Sequence, residues 1–288
     1  MRQRTFSIRD PSLPLPSFFI DNEMEKSMPT PEYLQSLFGF DGQVAVVIGG
    51  AGELGGAVAR GLAQAGAHVV IADVNEEPCV QRCAQLSELG GKASWTLIDV
   101  TDRGSVTAAL NVAAAINGKV DCLVNAAGVN FGTNFLDYPE EKWDFIMDIN
   151  LKGTFNTCQI FGKHMAENGG GAILNFGSVN SILPLSRVFG YAASKAGVLN
   201  LSNNIAQDLA LQGVRCNTIC PGFFPAEQNR KLLDEQRVAN IMNHTPMRRY
   251  GVPDELIGAA LLMLSKNGGK FITGACINVD GGFTCAWF

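Results

Sequence analysis

The stretch "SVNSILPLSRVFGYAASKAG", residues 178–197, sets three different chemistries at fixed intervals: a hydroxyl at Ser178, a phenol at Tyr191 and an ammonium at Lys195. Residues four apart share a helix face, so Tyr191 and Lys195 present their polar ends to one site. Taking hydride from an alcohol needs a base for the hydroxyl proton, and reducing a ketone needs an acid for the new alkoxide. A phenol near pKa 10 is a poor acid at neutral pH, and a neighbouring cation corrects that. At about 4 Å and an effective dielectric near 20, one positive charge is worth roughly 4 kcal/mol, which lowers the pKa by about two to three. Ser178 is then suited to hold the substrate oxygen as charge develops on it.

Spacing alone is weak evidence, because Tyr138 and Lys142 in "YPEEK" repeat it. Pro139 makes Tyr138 a helix-entry residue, and no strand-end serine precedes it, so that second pair reads as surface. Ser178 differs in following the apolar run "AILNF", which ends a strand.

The elements that must position these groups are legible as alternation. "QVAVVI", "AHVVIA", "KASWTLI", "KVDCLVN", "GAILNF", "GVRCNTI" and "CINV" read as seven strands. Helical patterns separate them over residues 54–65, 76–89, 105–116 and 191–211, with another over 150–166. Strands apolar on both faces and separated by helices predict a single doubly wound, Rossmann-type α/β domain of parallel strands with helices on both faces. Its ligand crevice lies at the carboxyl ends of the strands. This catalytic domain spans residues 41–288. Residues 1–40, with "RDPSLPLPSFF" and "SMPTPEY", form a proline-containing extension expected to be loosely ordered or packed on the surface. Arg2, Arg4 and Arg9 precede no apolar segment, so no secretory signal is expected there.

The first strand runs into "IGGAGELGGAVARGLAQAG", where Gly50, Gly52 and Gly55 satisfy G-x-G-x-x-G between a strand and a helix. Glycines let the backbone approach a pyrophosphate, and the helix N-terminus favours its charge. In a chain with 32 glycines the match needs a second feature. Asp73 supplies it: a carboxylate ending the second strand accepts from ribose hydroxyls and repels a 2′-phosphate. Glu76 and Glu77 follow with no basic residue beside them, so NAD is expected over NADP, and its oxidised nicotinamide is expected to add a second positive charge to that of Lys195 beside Tyr191.

Composition narrows the partners. A net charge of −5 and a pI near 5.3 give no field for nucleic acid or lipid headgroups, and no apolar run is long enough to cross a bilayer. A cytoplasmic protein is expected. The eight cysteines are scattered among strand and helix segments and read as reduced thiols. Cys79 with Cys83, and Cys216 with Cys220, lack the further ligands a zinc site needs, so no metal is expected. His68, His164 and His244 read as packing or surface residues.

Over residues 40–288 the order of motifs resembles the short-chain dehydrogenase/reductase family: the glycine loop, "LIDVTD", "NAAG" at 125–128, "DIN" ending at Asn150, the Ser178, Tyr191 and Lys195 set, and "PG" at 221–222. The resemblance implies a catalytic tetrad of Asn150, Ser178, Tyr191 and Lys195, with Asn150 serving a proton relay. It assigns the dinucleotide to Gly49, Gly50, Gly52, Glu53, Leu54, Gly55, Asp73, Asp99, Val100, Asn125, Ala126, Gly128, Tyr191, Lys195, Pro221 and Gly222, with Asp99 and Val100 bordering the adenine and Asn125 supporting the central sheet as well as the cofactor. It also implies a homo-oligomer, a dimer or tetramer, through helices 150–166 and 191–211. Three positions depart from the family pattern: Ile48 replaces a threonine, Glu53 a glycine, and Ala226 a threonine.

Within the family, "GELGGA", "QIFGKHM", "PGFF", "EQNR", "HTPM" and "FITGACINVDGGF" are similar to the D-mannonate oxidoreductases of the short-chain type, also called fructuronate reductases. That likeness implies a sugar-acid substrate. A carboxylate needs a cation or several N–H donors, and Asn180, Arg187, Gln228, Asn229 and Arg230 are the candidates beside Ser178. For the arginines, solvation or subunit contact is the competing assignment. Two other readings stay open: an enzyme for another keto-aldonate, polyol or acyl ketone, and a noncatalytic nucleotide-binding protein on the same fold.

Overall fold

The computed structural model describes residues 30–224 and 235–286. The extension up to residue 29, and Ala226, Gln228, Asn229 and Arg230, lie outside the described residues. Seven strands form one sheet: β1 (Val44–Ile48), β2 (His68–Asp73), β3 (Lys92–Leu97), β4 (Cys122–Asn125), β5 (Gly171–Phe176), β6 (Val214–Pro221) and β7 (Cys276–Val279). Their order is β3-β2-β1-β4-β5-β6-β7, and every neighbouring pair is parallel. The direction of travel across the sheet reverses between β1 and β4, which opens a crevice at the strand carboxyl ends.

Alternation within each strand divides the core in two. Ala45 and Val47 of β1 face Val58 and Leu62 of α2 (Glu53–Gln64), together with Leu86 of α3 (Glu76–Glu88). Val44, Val46 and Ile48 point the other way, against Val106 and Ala109 of α4 (Arg103–Ala114) and against Phe161 and Met165 further along. Because all five β1 residues are buried, the strand reads as a continuous apolar run. Ile48, which stands where the family pattern has a hydroxyl, is part of this packing.

The remaining helices are α5 (Glu140–Ile146), α6 (Gly153–Glu167), α7 (Phe189–Leu209), α8 (Glu235–His244) and α9 (Ile257–Leu264). One more, α1 (Thr30–Phe38), the first among the described residues, is not expected from the sequence. Thr30–Phe38 is helical although prolines flank and enter it, because Pro31 falls in the first turn, where no intrahelical N–H is required. This helix lies on the surface, held by the Asn267 amide, which donates to the Ser36 carbonyl at 2.7 Å.

A buried polar cluster ties the middle of the sheet to two helices. Asn125 of β4 donates to Asn175 Oδ1 of β5 at 2.8 Å, and Asn175 donates to the Ser202 hydroxyl of α7 at 2.8 Å. Cys158 of α6 lies 3.3 Å from the Asn125 amide. Asn175→Ala strips partners from both neighbours in a dry site, so urea unfolding is expected to show a loss of about 2–3 kcal/mol. A change within error would show the cluster to be energetically idle.

Candidate active site

Lys195 is only 4% exposed, and its Nζ donates to the carbonyl of Phe176, the last residue of β5, at 2.7 Å. Burial lowers its pKa to about 8. The backbone around it is cross-tied: the Ser178 N–H donates to Ser181 Oγ at 3.2 Å, and that hydroxyl donates to the Lys195 carbonyl at 2.7 Å. The serine loop and α7 are thus fixed to each other beside the lysine.

Tyr191 lies one turn before Lys195, its ring centroid 5.7 Å from Nζ. Lys195 by itself does not lower its pKa. Burial raises the phenol above its ordinary value, with the Ser178 hydroxyl bond opposing. The physical reason is that the ammonium is engaged with the Phe176 carbonyl rather than the phenol, so desolvation dominates.

Asn150 sits where α5 passes into a π-helical segment, Met147–Lys152, before α6. Its fully buried side chain brackets Val129, accepting from the Val129 N–H at 2.8 Å and donating to the Val129 carbonyl at 2.9 Å. It also donates to Ser194 Oγ at 3.0 Å, and Ser194 donates to the Tyr191 carbonyl at 2.7 Å. Gly128 lies between this amide and the lysine: a Cβ there would stand 3.4 Å from both Asn150 Oδ1 and Lys195 Nζ. Asn150 itself does not open onto the cavity.

That cavity, about 970 Å³, runs along the strand ends from Asp73 to Lys195. Gly49, Gly52, Glu53, Leu54, Gly55, Asp73, Asp99, Val100, Ala126, Gly128, Pro221 and Gly222 all line it. The sharp turn belongs to Gly49, at φ +75°, where a Cβ would meet the Ala127 nitrogen at 2.5 Å. A Cβ on Gly55 would overlap the Gly49 carbonyl. Together with the open N-terminus of α2, these close approaches fit a dinucleotide pyrophosphate.

Two residues of the expected set do not line the cavity. Gly50 faces the core beneath the loop, where a Cβ would strike the Val47 carbonyl and Ile71. Asn125 is spent on the buried asparagine cluster. At the far end, Asp73 accepts from Ala51 N at 3.3 Å and Val74 N at 2.8 Å. A basic residue does stand near it, contrary to the reading of the sequence. Arg82, nine residues on, turns back along α3 and donates to the Ala51 and Gly52 carbonyls at 3.3 Å. Its charge also meets Glu53, which accounts for a carboxylate tolerated at the loop.

Ser178, Asn180 and Arg187 line the other end of the cavity. Asn180 is 8% exposed; its Oδ1 accepts from Ser178 Oγ at 3.3 Å, and its buried Nδ2 has no partner. Arg187 is exposed at the rim with φ +74°, a strained conformation for a residue that bears a Cβ. Sequence reasoning missed Arg237 and Tyr250 on the same wall. Arg237 Nη2 donates to the Ser186 carbonyl at 3.2 Å, bringing a second guanidinium to the Arg187 segment. Both residues lie in the stretch after "PGFF", where no strand-end motif marks them.

Tyr138 is a further correction to the sequence reading. It is not surface: its ring packs edge-on against Phe131 and Phe189, and its buried hydroxyl faces Gly190. Lys142 is exposed and lies 5.9 Å over Phe131. Among the described residues no group of three or more metal-ligating side chains forms, and no helix is long and apolar enough to cross a membrane.

Comparison with known proteins agrees with this geometry. A family model described as enoyl-(acyl carrier protein) reductase matches residues 49–284. D-threitol dehydrogenase of Mycolicibacterium smegmatis is 38% identical over 247 residues, covering 86% of this chain and 95% of its own. The 2-dehydro-3-deoxy-D-gluconate 5-dehydrogenase of Escherichia coli is 34% identical over 250 residues, covering 86% and 98%. Among solved structures, a gluconate 5-dehydrogenase from Burkholderia cenocepacia in complex with NADP and tartrate superposes with a TM-score of 0.84 at 35% identity, covering 88% of this chain and 100% of that one.

Burying the Lys195 charge costs about 3 kcal/mol, the worth of a pKa brought from 10.5 down to about 8. The unfolded chain therefore binds the proton more tightly, and this cost is relieved as pH rises from about 8 toward 10.5. Lys195→Met is expected to raise the thermal midpoint at pH 7 even though it loses the Phe176 bond. Its advantage over wild type should narrow between pH 8 and 10 in parallel melts, and a pH-independent difference would contradict the buried charge.

Proposed function

This chain belongs to the short-chain dehydrogenase/reductase family, whose members use a nicotinamide dinucleotide to oxidise CH–OH groups or reduce the corresponding ketones, and we propose that it acts on a sugar acid. Within that class we put the D-mannonate/D-fructuronate pair first and NAD(H) as the cofactor. The observation that carries the substrate class is Arg187, a guanidinium held at the mouth of the cavity four residues before Tyr191 in a backbone conformation that favours glycine. A non-glycine residue kept in the left-handed region costs about 1–2 kcal/mol. Such strain persists where a side chain has work to do there. A planar fork suits a carboxylate, Arg237 adds a second one nearby, and the unpartnered Asn180 amide suits a hydroxyl.

When bound, the nicotinamide supplies the hydride acceptor or donor. The protein's own groups handle the proton and the position. Ser178 Oγ holds the reacting oxygen, and the Tyr191 hydroxyl gives or takes its proton. Lys195 keeps a positive charge beside that phenol. Asn150 holds the loop after β4 in place and stands next to the lysine for a proton relay. The raised pKa of the phenol in the protein alone makes the cationic ring of the oxidised nicotinamide part of the tuning, because its charge opposes desolvation. For the cofactor, Asp73 favours NAD by repelling a 2′-phosphate, while Arg82 is engaged with the loop carbonyls.

The second reading is a gluconate- or polyol-type dehydrogenase, favoured by the names of the relatives, which include gluconate 5-dehydrogenase and D-threitol dehydrogenase. A spectrophotometric screen of D-fructuronate, D-mannonate, keto-gluconates and neutral polyols, each with NAD(H) and NADP(H), decides between them. Turnover confined to neutral polyols would discard the sugar-acid reading.

Two variants probe the roles. Tyr191→Phe should lower kcat by about a hundredfold or more while dinucleotide affinity, measured by cofactor fluorescence, stays unchanged. Retained turnover would remove Tyr191 as acid/base. Arg187→Gly fits the local backbone and removes the cation. We expect KM for the sugar acid to rise about tenfold or more with kcat little changed, and neutral polyols to be indifferent to the substitution. Equal effects on both substrate types would assign Arg187 to loop structure.

A further inference from the structure

Eight thiols are free in the structure, and Cys220 and Cys276 lie with their sulfurs 3.4 Å apart. Cys220 is fully buried near the end of β6, and Cys276 opens the exposed edge strand β7. The register pairs Thr218 with Cys276 and Cys220 with Asn278, so the two cysteines sit on a diagonal on one side of the sheet. Behind Cys220 is the serine loop: a Cβ on Gly177 would stand only 2.6 Å from Cys220 Sγ. Pro221 and Gly222, which line the cavity, follow it directly in sequence.

We propose that Cys220 and Cys276 form an oxidation site at which a hydroperoxide closes a reversible disulfide that deforms the serine loop and the cofactor wall. The two sulfurs share a proton at 3.4 Å: when it rests on Cys220 and the other has been lost to solvent, the exposed Cys276 thiolate attacks the O–O bond, yielding a sulfenic acid and an alkoxide that solvent protonates to the alcohol, or to water when the oxidant is hydrogen peroxide. Cys220 then attacks that sulfur, forming the S–S bond and expelling the oxygen, which leaves as water with the thiol proton. Two thiols and one hydroperoxide give one disulfide, one alcohol and one water; the sulfurs lose two electrons and the peroxide gains them.

Geometry explains why closure is felt at the site. The sulfurs stand 3.4 Å apart and a disulfide needs about 2.05 Å, so bonding must draw the two strands together. Strand β7 is four residues long and is paired on one side alone, so it can move. The surroundings favour a thiolate at Cys220: the Cys276 S–H donates to its sulfur at 3.4 Å, and the buried Lys195 charge lies on the same side.

The test treats the full chain with hydrogen peroxide, blocks free thiols, and maps peptides by mass spectrometry without reduction. NADH and NADPH are titrated by fluorescence before oxidation, after it, and after dithiothreitol. Expected results are a peptide linking Cys220 to Cys276, an affinity for the better-bound dinucleotide weakened about fivefold, and recovery on reduction. Cys276→Ser should bind dinucleotide normally, form no such peptide and keep its affinity under peroxide. Absence of the linked peptide, a linked peptide with unchanged affinity, or equal loss in Cys276→Ser would each overturn the proposal.

Discussion

A lysine ammonium that is almost wholly excluded from water must have a fixed acceptor, and here that acceptor is the backbone carbonyl at the end of β5. Much of the site follows from this requirement. Carbonyls at the carboxyl edge of a parallel sheet project beyond the last ladder bond, so the edge offers the lysine what the core cannot. To reach Phe176, α7 must cross the strand ends with Lys195 facing inward. Tyr191, one turn earlier, is then carried to the same face. The position of the phenol is thus a consequence of where the charge can be satisfied.

The second consequence is cross-tying. A buried cation is safe only if its surroundings do not drift, and three loops are tied to one another around it. The Ser181 hydroxyl joins the serine loop to the Lys195 carbonyl. The Asn150 amide joins the loop after β4 to α7 through Val129 and Ser194. The π-helical segment supplies the extra residue that lets Asn150 reach inward while α5 and α6 continue on either side. Beneath them, Asn125, Asn175 and Ser202 lock β4, β5 and α7. Each bond is worth only about 1 kcal/mol net, yet leaving any partner unsatisfied in this dry region costs more, so the arrangement resists piecemeal loosening.

The five inner strands are legible in the sequence because strands buried on both faces leave an apolar run that few other elements produce, while the partly exposed edges β3 and β7 are legible through the β-branched and aromatic residues of "SWTLI" and "CINV". Ser178, Tyr191 and Lys195 are legible because helical periodicity and a strand end fix them locally. What the sequence does not show depends on contacts between distant segments. Arg82 reaches the glycine loop through the packing of α3, and Tyr138 is buried by Phe131 and Phe189, which no local pattern announces. Asn125 and Gly50 fall inside the expected motifs, but strand alternation and the tight turn at Gly49 direct them inward. The share of the phenol's tuning expected from Lys195 is missing for a related reason: spacing brings the ammonium close, but the tertiary structure decides which oxygen it serves.

The division between buried chemistry and exposed recognition also has an energetic logic. Asn150, Ser178 and Lys195 are buried and bonded to backbone, so substitution there disturbs several loops at once. Arg187 and Arg237 stand at the rim, where Arg237 also ties its helix to the Ser186 carbonyl. A rim residue in a relaxed backbone would say nothing about selection, since any side chain is tolerated there. Arg187 is different, because its left-handed backbone makes glycine the easier choice on folding grounds alone. The fold bears part of that cost itself, since the Thr133 N–H donates to the Arg187 carbonyl at 2.9 Å and so holds the turn that sets the guanidinium at the cavity mouth.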